Sequence, residues 1–308
     1  MAEKNETIKE ESNRAFSSKD FLLDILRGIA IGVAFIIPGF SGGSVAAILG
    51  IYEKLVGAIA DIFKDFKKSV ITLIPIAIGM VSGIVALLFP LGWALEAFPL
   101  PTVCLFVGLA IGGMPSITEK IKGKPTAKNI TALLIPLIIA AALVFLPIGQ
   151  DVNLLNLSFG GYVLLFLIGL LGSTALVVPG ISGSMLLLIL GYYNPIVHMI
   201  TDNLLKGKNL TSSLLVLISC GLGILVGFIL ISHIMKFLLR NYPRGTYFAI
   251  VGFILGSIPT IYASTAKEAG MTFSTLPSSP LHWIACALLL ALGIFLSYAL
   301  VRFSRKKA

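Results

Sequence analysis

The chain has 308 residues, of which 57% are apolar and 12% charged, whereas an ordinary soluble domain is about 45–50% apolar and about 25% charged. So few charges cannot cover a water-exposed surface, and the mean hydropathy of +0.99 agrees. A soluble globular enzyme, a disordered chain and a nucleic-acid-binding module are excluded, which leaves a polytopic helical membrane protein. The net charge is +9, from 23 Lys+Arg against 14 Asp+Glu, so the next question is on which side of the bilayer that charge sits.

Residues 1–20 are polar and mix both signs, with Lys4, Lys9, Arg14 and Lys19 against Glu3, Glu6, Glu10, Glu11 and Asp20. A cleavable signal would show a short basic start and an immediate apolar stretch, so this segment reads as a cytoplasmic tail. Ser17 and Ser18 offer N-caps for a first helix. Ten apolar segments follow, at roughly 21–37, 42–60, 70–90, 98–117, 130–147, 160–178, 184–200, 212–235, 246–262 and 281–301. Crossing the hydrocarbon core takes about 20 residues. Cys104, Cys220 and Cys286 each lie alone in an apolar run, and His198, His233 and His282 are scattered. Neither a metal site nor a cofactor is expected.

With the N-terminus inside, the tail, 61–69, 118–129, 236–245 and the C-terminus carry eighteen Lys and Arg, while the outside loops hold only Lys206, Lys208 and Lys267. The positive-inside rule then puts both termini in the cytoplasm.

The chain repeats itself. PGFSGGSVAAILGIY at 38–52 matches PGISGSMLLLILGYY at 179–193 with an offset of 141. A second block matches at 144: Gly79 with Gly223, Gly83 with Gly227, Pro99 with Pro243, Thr102 with Thr246, and VGLAIGGMPSI at 107–117 with VGFILGSIPTI at 251–261. Chance similarity between apolar helices rarely keeps proline and glycine in register. The expected organisation is a tail at 1–20, a membrane repeat at 21–150, a second at 151–303, and a cytoplasmic end at 304–308. Each repeat holds one segment pair and three further spans. A pair returns the chain to its own side and three spans reverse it, so the repeats are inverted, an architecture that places a transporter's site near the midplane.

The segment pairs read as re-entrant hairpins. With Pro38-Gly39 as a mid-bilayer tip, helical rise puts Asp24 and Arg27 ~21 and ~17 Å from it and Glu53 and Lys54 ~20 Å beyond it. All four then lie at the interface of a core whose half-thickness is about 15 Å. Full spans would bury the same charges at about 2.5–3.5 kcal/mol each. The fold class expected is therefore an all-α polytopic membrane protein of two inverted-topology repeats, each a re-entrant helix hairpin plus three transmembrane helices.

At each tip a Pro-Gly hinge (Pro38, Gly39; Pro179, Gly180) ends one half-helix and Ser-Gly opens the next. The new helix starts with unpaired N–H groups and the positive end of its dipole. Ser41, Gly42, Gly43 and Ser44, facing Ser182, Gly183 and Ser184, would make an anion site, phosphate above all, without a buried cation. Alternatively Pro-Gly is only a hinge and Ser/Gly only close packing. Arg27 either snorkels and pairs with Asp24 or captures a lipid phosphate. Glu53 and Lys54 read as a solvated interfacial pair, with Glu53 alternatively a protonation site. Tyr52 and Tyr193 read as interface anchors, while Asp61, Asp202 and His198 read as residues facing water near the surface. Glu53, Asp24, Tyr52, Tyr193 and Asn194 are the candidates for coupling or gating.

The doubled PGxSGG/PGxSGS element, each copy followed by LGxY, resembles the polyprenyl-phosphate transporter family over about 20–303. That resemblance implies a flippase, not an enzyme. It would return undecaprenyl phosphate across the bacterial cytoplasmic (inner) membrane for peptidoglycan and teichoic-acid synthesis, driven by a proton or sodium gradient. Ser41 to Ser44 and Ser182 to Ser184 fall on the family's two tip motifs. The tips also resemble those of undecaprenyl pyrophosphate phosphatases, which carry PGxSRS and a membrane ExxxE. Here no Arg follows Ser41 or Ser182, and the ExxxE of Glu6 and Glu10 lies in the tail, so hydrolysis lacks its usual charge stabilisation. A third reading is a transporter of a small soluble anion.

Overall fold

In the computed structural model of the chain, residues 18–36, 41–121, 123–146, 149–204, 206–268 and 279–306 are described. Among them the regular structure is helical throughout. In the first half lie α1 (Ser18–Ile36), α2 (Gly42–Ile48), α3 (Tyr52–Ala60), α4 (Phe66–Ala97), α5 (Pro99–Thr118) and α6 (Ala127–Ala142). The second half holds α7 (Phe159–Val177), α8 (Gly183–Ile189), α9 (Tyr193–His198), α10 (Leu210–Asn241), α11 (Pro243–Glu268) and α12 (Pro280–Lys306). A π turn over Met199–Leu204 extends α9. Pro99, Pro243 and Pro280 each open a helix, where the missing N–H costs nothing. Asp65 and Ser158 cap α4 and α7 by accepting from the Lys68 and Gly161 amides.

Among the described residues five helices are long and apolar enough to cross a membrane: α4, α5, α10, α11 and α12. The chain is thus a multi-pass membrane protein. Val85, Phe89 and Trp93 on α4 and Leu225 on α10 are exposed, as lipid-facing side chains are.

The structure corrects one expectation. The segments at 42–60 and 184–200 are not single helices. Each breaks in the middle, at Gly50 (φ +72°) and Gly191 (φ +76°), into α2 and α3 and into α8 and α9. Only glycine takes the left-handed conformation without a Cβ penalty, and the LGxY signature read as a repeat marker is the sequence of that break.

Packing is pairwise: α1 on α4, α7 on α10, α5 on α12 and α6 on α11. Glycines make the approaches close. A Cβ on Gly79 or Gly83 would strike the carbonyl of Ile25 or Ile29, and one on Gly223 or Gly227 that of Phe166 or Leu170. Gly108 and Gly112 meet the carbonyls of Leu290 and Ile294, as Gly252 and Gly256 meet those of Leu133 and Leu137. Equivalent glycines therefore meet equivalent carbonyls in the two halves. The main core cluster gathers around α2 and α3, with Ile31, Ala46, Ile48, Tyr52 and Val56 against Phe106, Ile250 and Ile254.

Candidate functional site

Ser41 is the N-cap of α2 (φ −108°, ψ 130°), and Ser41, Gly42, Gly43 and Ser44 are all buried. The Ser44 hydroxyl is fully buried and has no hydrogen-bond partner among the described residues. Pro38 and Gly39 lie outside the described residues. In the second half α7 ends at Val177, Val178 is extended, and Pro179 is buried. Gly180 turns left-handed (φ +86°), where a Cβ would run into the Phe253 backbone of α11. Ser182 caps α8, its hydroxyl accepting from the Met185 amide at 3.4 Å. Gly183 opens α8, and the Ser184 side chain lies outside the described residues.

The two motifs, 141 residues apart in sequence, meet in space. A Cβ on Gly43 would stand 3.0 Å from the Val177 carbonyl oxygen and 3.4 Å from the Pro179 nitrogen. Tyr52, buried at the start of α3, donates its phenol to that same Val177 carbonyl at 2.9 Å. The helical partner of this carbonyl would have been the Ile181 amide, but the chain leaves the helix first. Tyr52 thus satisfies an acceptor that the Pro-Gly break exposes. It is an inter-half contact rather than an interface anchor. Its counterpart Tyr193 is 37% exposed.

The charged residues pair differently from their sequence neighbours. Asp24 is only 4% exposed and accepts from Arg27 at 3.0 Å and from Lys54. Two cations and directed hydrogen bonds are what a buried carboxylate requires. The Asp24–Arg27 pair is as expected, and it engages the guanidinium that was a candidate phosphate ligand. Glu53 and Lys54 do not pair as neighbours. Glu53 accepts from the Tyr247 phenol of α11 and lies 3.5 Å from Lys120, whose ammonium stands 6.0 Å from the Tyr247 ring centroid. Ser116 of α5 donates to the Ile48 carbonyl at 2.6 Å.

Asp61 does not simply face water. It bonds Lys236 of α10, which holds its carboxyl below the usual range against the opposing effect of partial burial. Asp202 is held at about 2, first by Lys206 (2.5 Å) and then by His198 (2.8 Å). Asn194 donates to Asp151 at 3.2 Å. Sequence reasoning missed Tyr247, Ser116 and the partnering roles of Lys120 and Lys236. The two lysines were visible only as inside charge, and nothing local to Tyr247 marks it. No group of three or more His, Cys, Asp or Glu that could hold a metal occurs among the described residues.

Chemically the motif junction is a small, buried surface of serine hydroxyls, glycines and two helix starts, with no cation among its described residues. Comparison with known proteins bears on what it serves. A family described as undecaprenyl phosphate translocase-like matches residues 31–275. A polyprenyl-phosphate transporter of Staphylococcus aureus is 30% identical over 285 residues, 91% of this chain and 96% of that protein. A polyprenyl-phosphate transporter of Vibrio cholerae is 25% identical over 324 residues, 95% of this chain and all of that protein. No solved structure matches.

Proposed function

We propose that this chain, which belongs to the undecaprenyl phosphate translocase-like family, is a flippase that moves a polyprenyl phosphate across the bacterial cytoplasmic membrane and so returns the lipid carrier to envelope synthesis. Its relatives in S. aureus and V. cholerae are named polyprenyl-phosphate transporters. The observation that carries the site is the meeting of the two Pro-Gly-x-Ser-Gly motifs, Gly43 against Val177 and Pro179, beside a buried Ser44 hydroxyl with no partner among the described residues. Ser41, Gly42, Gly43 and Ser44, with Ser182, Gly183 and Ser184, receive the phosphate, while the isoprenoid tail stays in lipid. Pro38-Gly39 and Pro179-Gly180 are the hinges.

The two halves act as inverted repeats, each a re-entrant hairpin with three spans. The recurrence of glycine–carbonyl contacts at equivalent positions supports that reading. Both termini are cytoplasmic, in keeping with the lysines and arginines of the loops. Rocking of one half against the other exposes the site to each leaflet in turn. Arg27, held by Asp24, orders the cytoplasmic mouth and meets the headgroup there. Glu53, bonded to Tyr247 and Lys120, is where a proton or sodium gradient is coupled.

The test is leaflet exchange. Liposomes carrying polyprenyl phosphate in both leaflets receive a membrane-impermeant phosphatase from outside. Digestion beyond the outer-leaflet half, with protein and not without it, is the expected result. A plateau at half that persists under imposed pH and sodium gradients overturns the reading in favour of a soluble anion. Phosphate released from polyprenyl pyrophosphate before phosphatase is added would make the chain an enzyme.

A further inference from the structure

The contacts between the halves are unequal. On one side Tyr52 is buried and bonded to the Val177 carbonyl at the end of α7. α2 packs on α7, and α3 packs on α10. Asp61 is tied to Lys236, and Glu53 to Tyr247. The cavity left between Tyr52, Glu53, Ser116, Lys120 and Tyr247 measures only about 20 Å³.

The equivalent side of the second half is tied to its own neighbourhood. Asp202, the counterpart of Asp61, bonds His198 and Lys206 of its own segment. The α8–α9 break is held by the preceding loop, through Gly149 N–H to Ile189 O (3.0 Å) and Val152 N–H to Gly191 O (3.1 Å). Met185 to Leu190 are partly exposed where Ala46 to Leu49 are buried.

The offset of 141 that pairs Tyr52 with Tyr193 also pairs Val177 with Ile36, the last described residue of α1. Ile36 too is followed by Pro-Gly two residues on, as Val177 is where it ends α7.

We propose that Tyr52 and Tyr193 are paired positioning residues for transport: the Tyr52–Val177 bond fixes the arrangement seen here, and the opposite arrangement exchanges it for a Tyr193–Ile36 bond. The inference rests on the alternating-access reading above and adds the bonds that define its two ends. One bond is made at a time, so the phenols balance the two arrangements against each other. Tyr52 holds the second motif on the first without touching the headgroup.

The test replaces Cys104, Cys220 and Cys286 by alanine, introduces Phe63→Cys beyond α3 and Arg302→Cys at the end of α12, and labels both with nitroxides. Distances are read by pulsed electron resonance in liposomes, with and without polyprenyl phosphate. Two populations are expected. One neutral hydrogen bond shifts their ratio roughly five-fold. Tyr52→Phe moves it away from the distance in this structure, Tyr193→Phe moves it toward that distance, and the double variant returns it to within about two-fold of the starting value. A merely structural tyrosine would lower thermal stability without producing opposite shifts that cancel. Shifts in the same direction, or none, overturn the exchange while leaving alternating access standing. A single population in the parent protein under both conditions overturns alternating access itself. Should Tyr52→Phe not accumulate, the shift of Tyr193→Phe toward this structure is still required.

Discussion

Ser44, like Ser213 and Ser232, keeps a buried hydroxyl without a partner among the described residues, and it is the one of the three that lies in a Pro-Gly-x-Ser-Gly tip. An unpaired buried hydroxyl costs about 1–3 kcal/mol. Such a cost persists where function uses the group. Ser44→Ala is therefore expected to raise the melting temperature of the protein in detergent and to weaken binding of a short-chain polyprenyl phosphate roughly five-fold or more. A lowered melting temperature with unchanged binding would make the hydroxyl structural. The serines were legible in the sequence because they recur beside Pro-Gly. Their burial was not, because it depends on where Ile31 and Phe35 stand against Gly42 and on Val177 against Gly43. Long-range partners escaped for the same reason. Lys236 reaches Asp61 across 175 residues, and Tyr247 reaches Glu53 across 194.

At the scale of elements, helix existence followed from apolar length, while the breaks within the short arms did not. Gly50 and Gly191 look like any glycine in a small-residue membrane helix, and only the observed φ values distinguish them. Their surroundings differ, which separates backbone strain from steric conflict. A Cβ on Gly50 meets nothing within 4 Å, whereas one on Gly191 would fall on the Gln150 carbonyl. Gly50→Ala should cost only the left-handed penalty, about 1–2 kcal/mol. Gly191→Ala should cost clearly more, because the loop at 149–152 must also move. Thermal unfolding of the two variants in one detergent checks the order. Equal losses would mean that the loop gives way freely and does not hold the α8–α9 break.

At the scale of the whole molecule, the helical membrane class was legible from composition, and the close glycine–carbonyl crossings recur where prolines and glycines keep register in the sequence. The physical ground is that close helix crossings require glycine at fixed places, so the same carbonyls are met twice, as Ile25 and Phe166 are by Gly79 and Gly223. What sequence could not supply was the inequality of the halves, since it rests on long-range partners such as Val177 for Tyr52 and Lys236 for Asp61. The inversion itself has a direct test. Lys67 and Lys208 are equivalent at the offset of 141 and both are exposed. In inverted repeats equivalent residues lie on opposite sides of the bilayer, whereas parallel repeats place them on the same side. In intact cells Lys208→Cys should react with an impermeant maleimide and Lys67→Cys only after permeabilisation. The loops that follow α3, near Lys64, Lys67 and Lys68, would then be the cytoplasmic side, as their charge requires. Labelling of both in intact cells would make the repeats parallel and remove the symmetry by which Tyr193 is matched to Ile36.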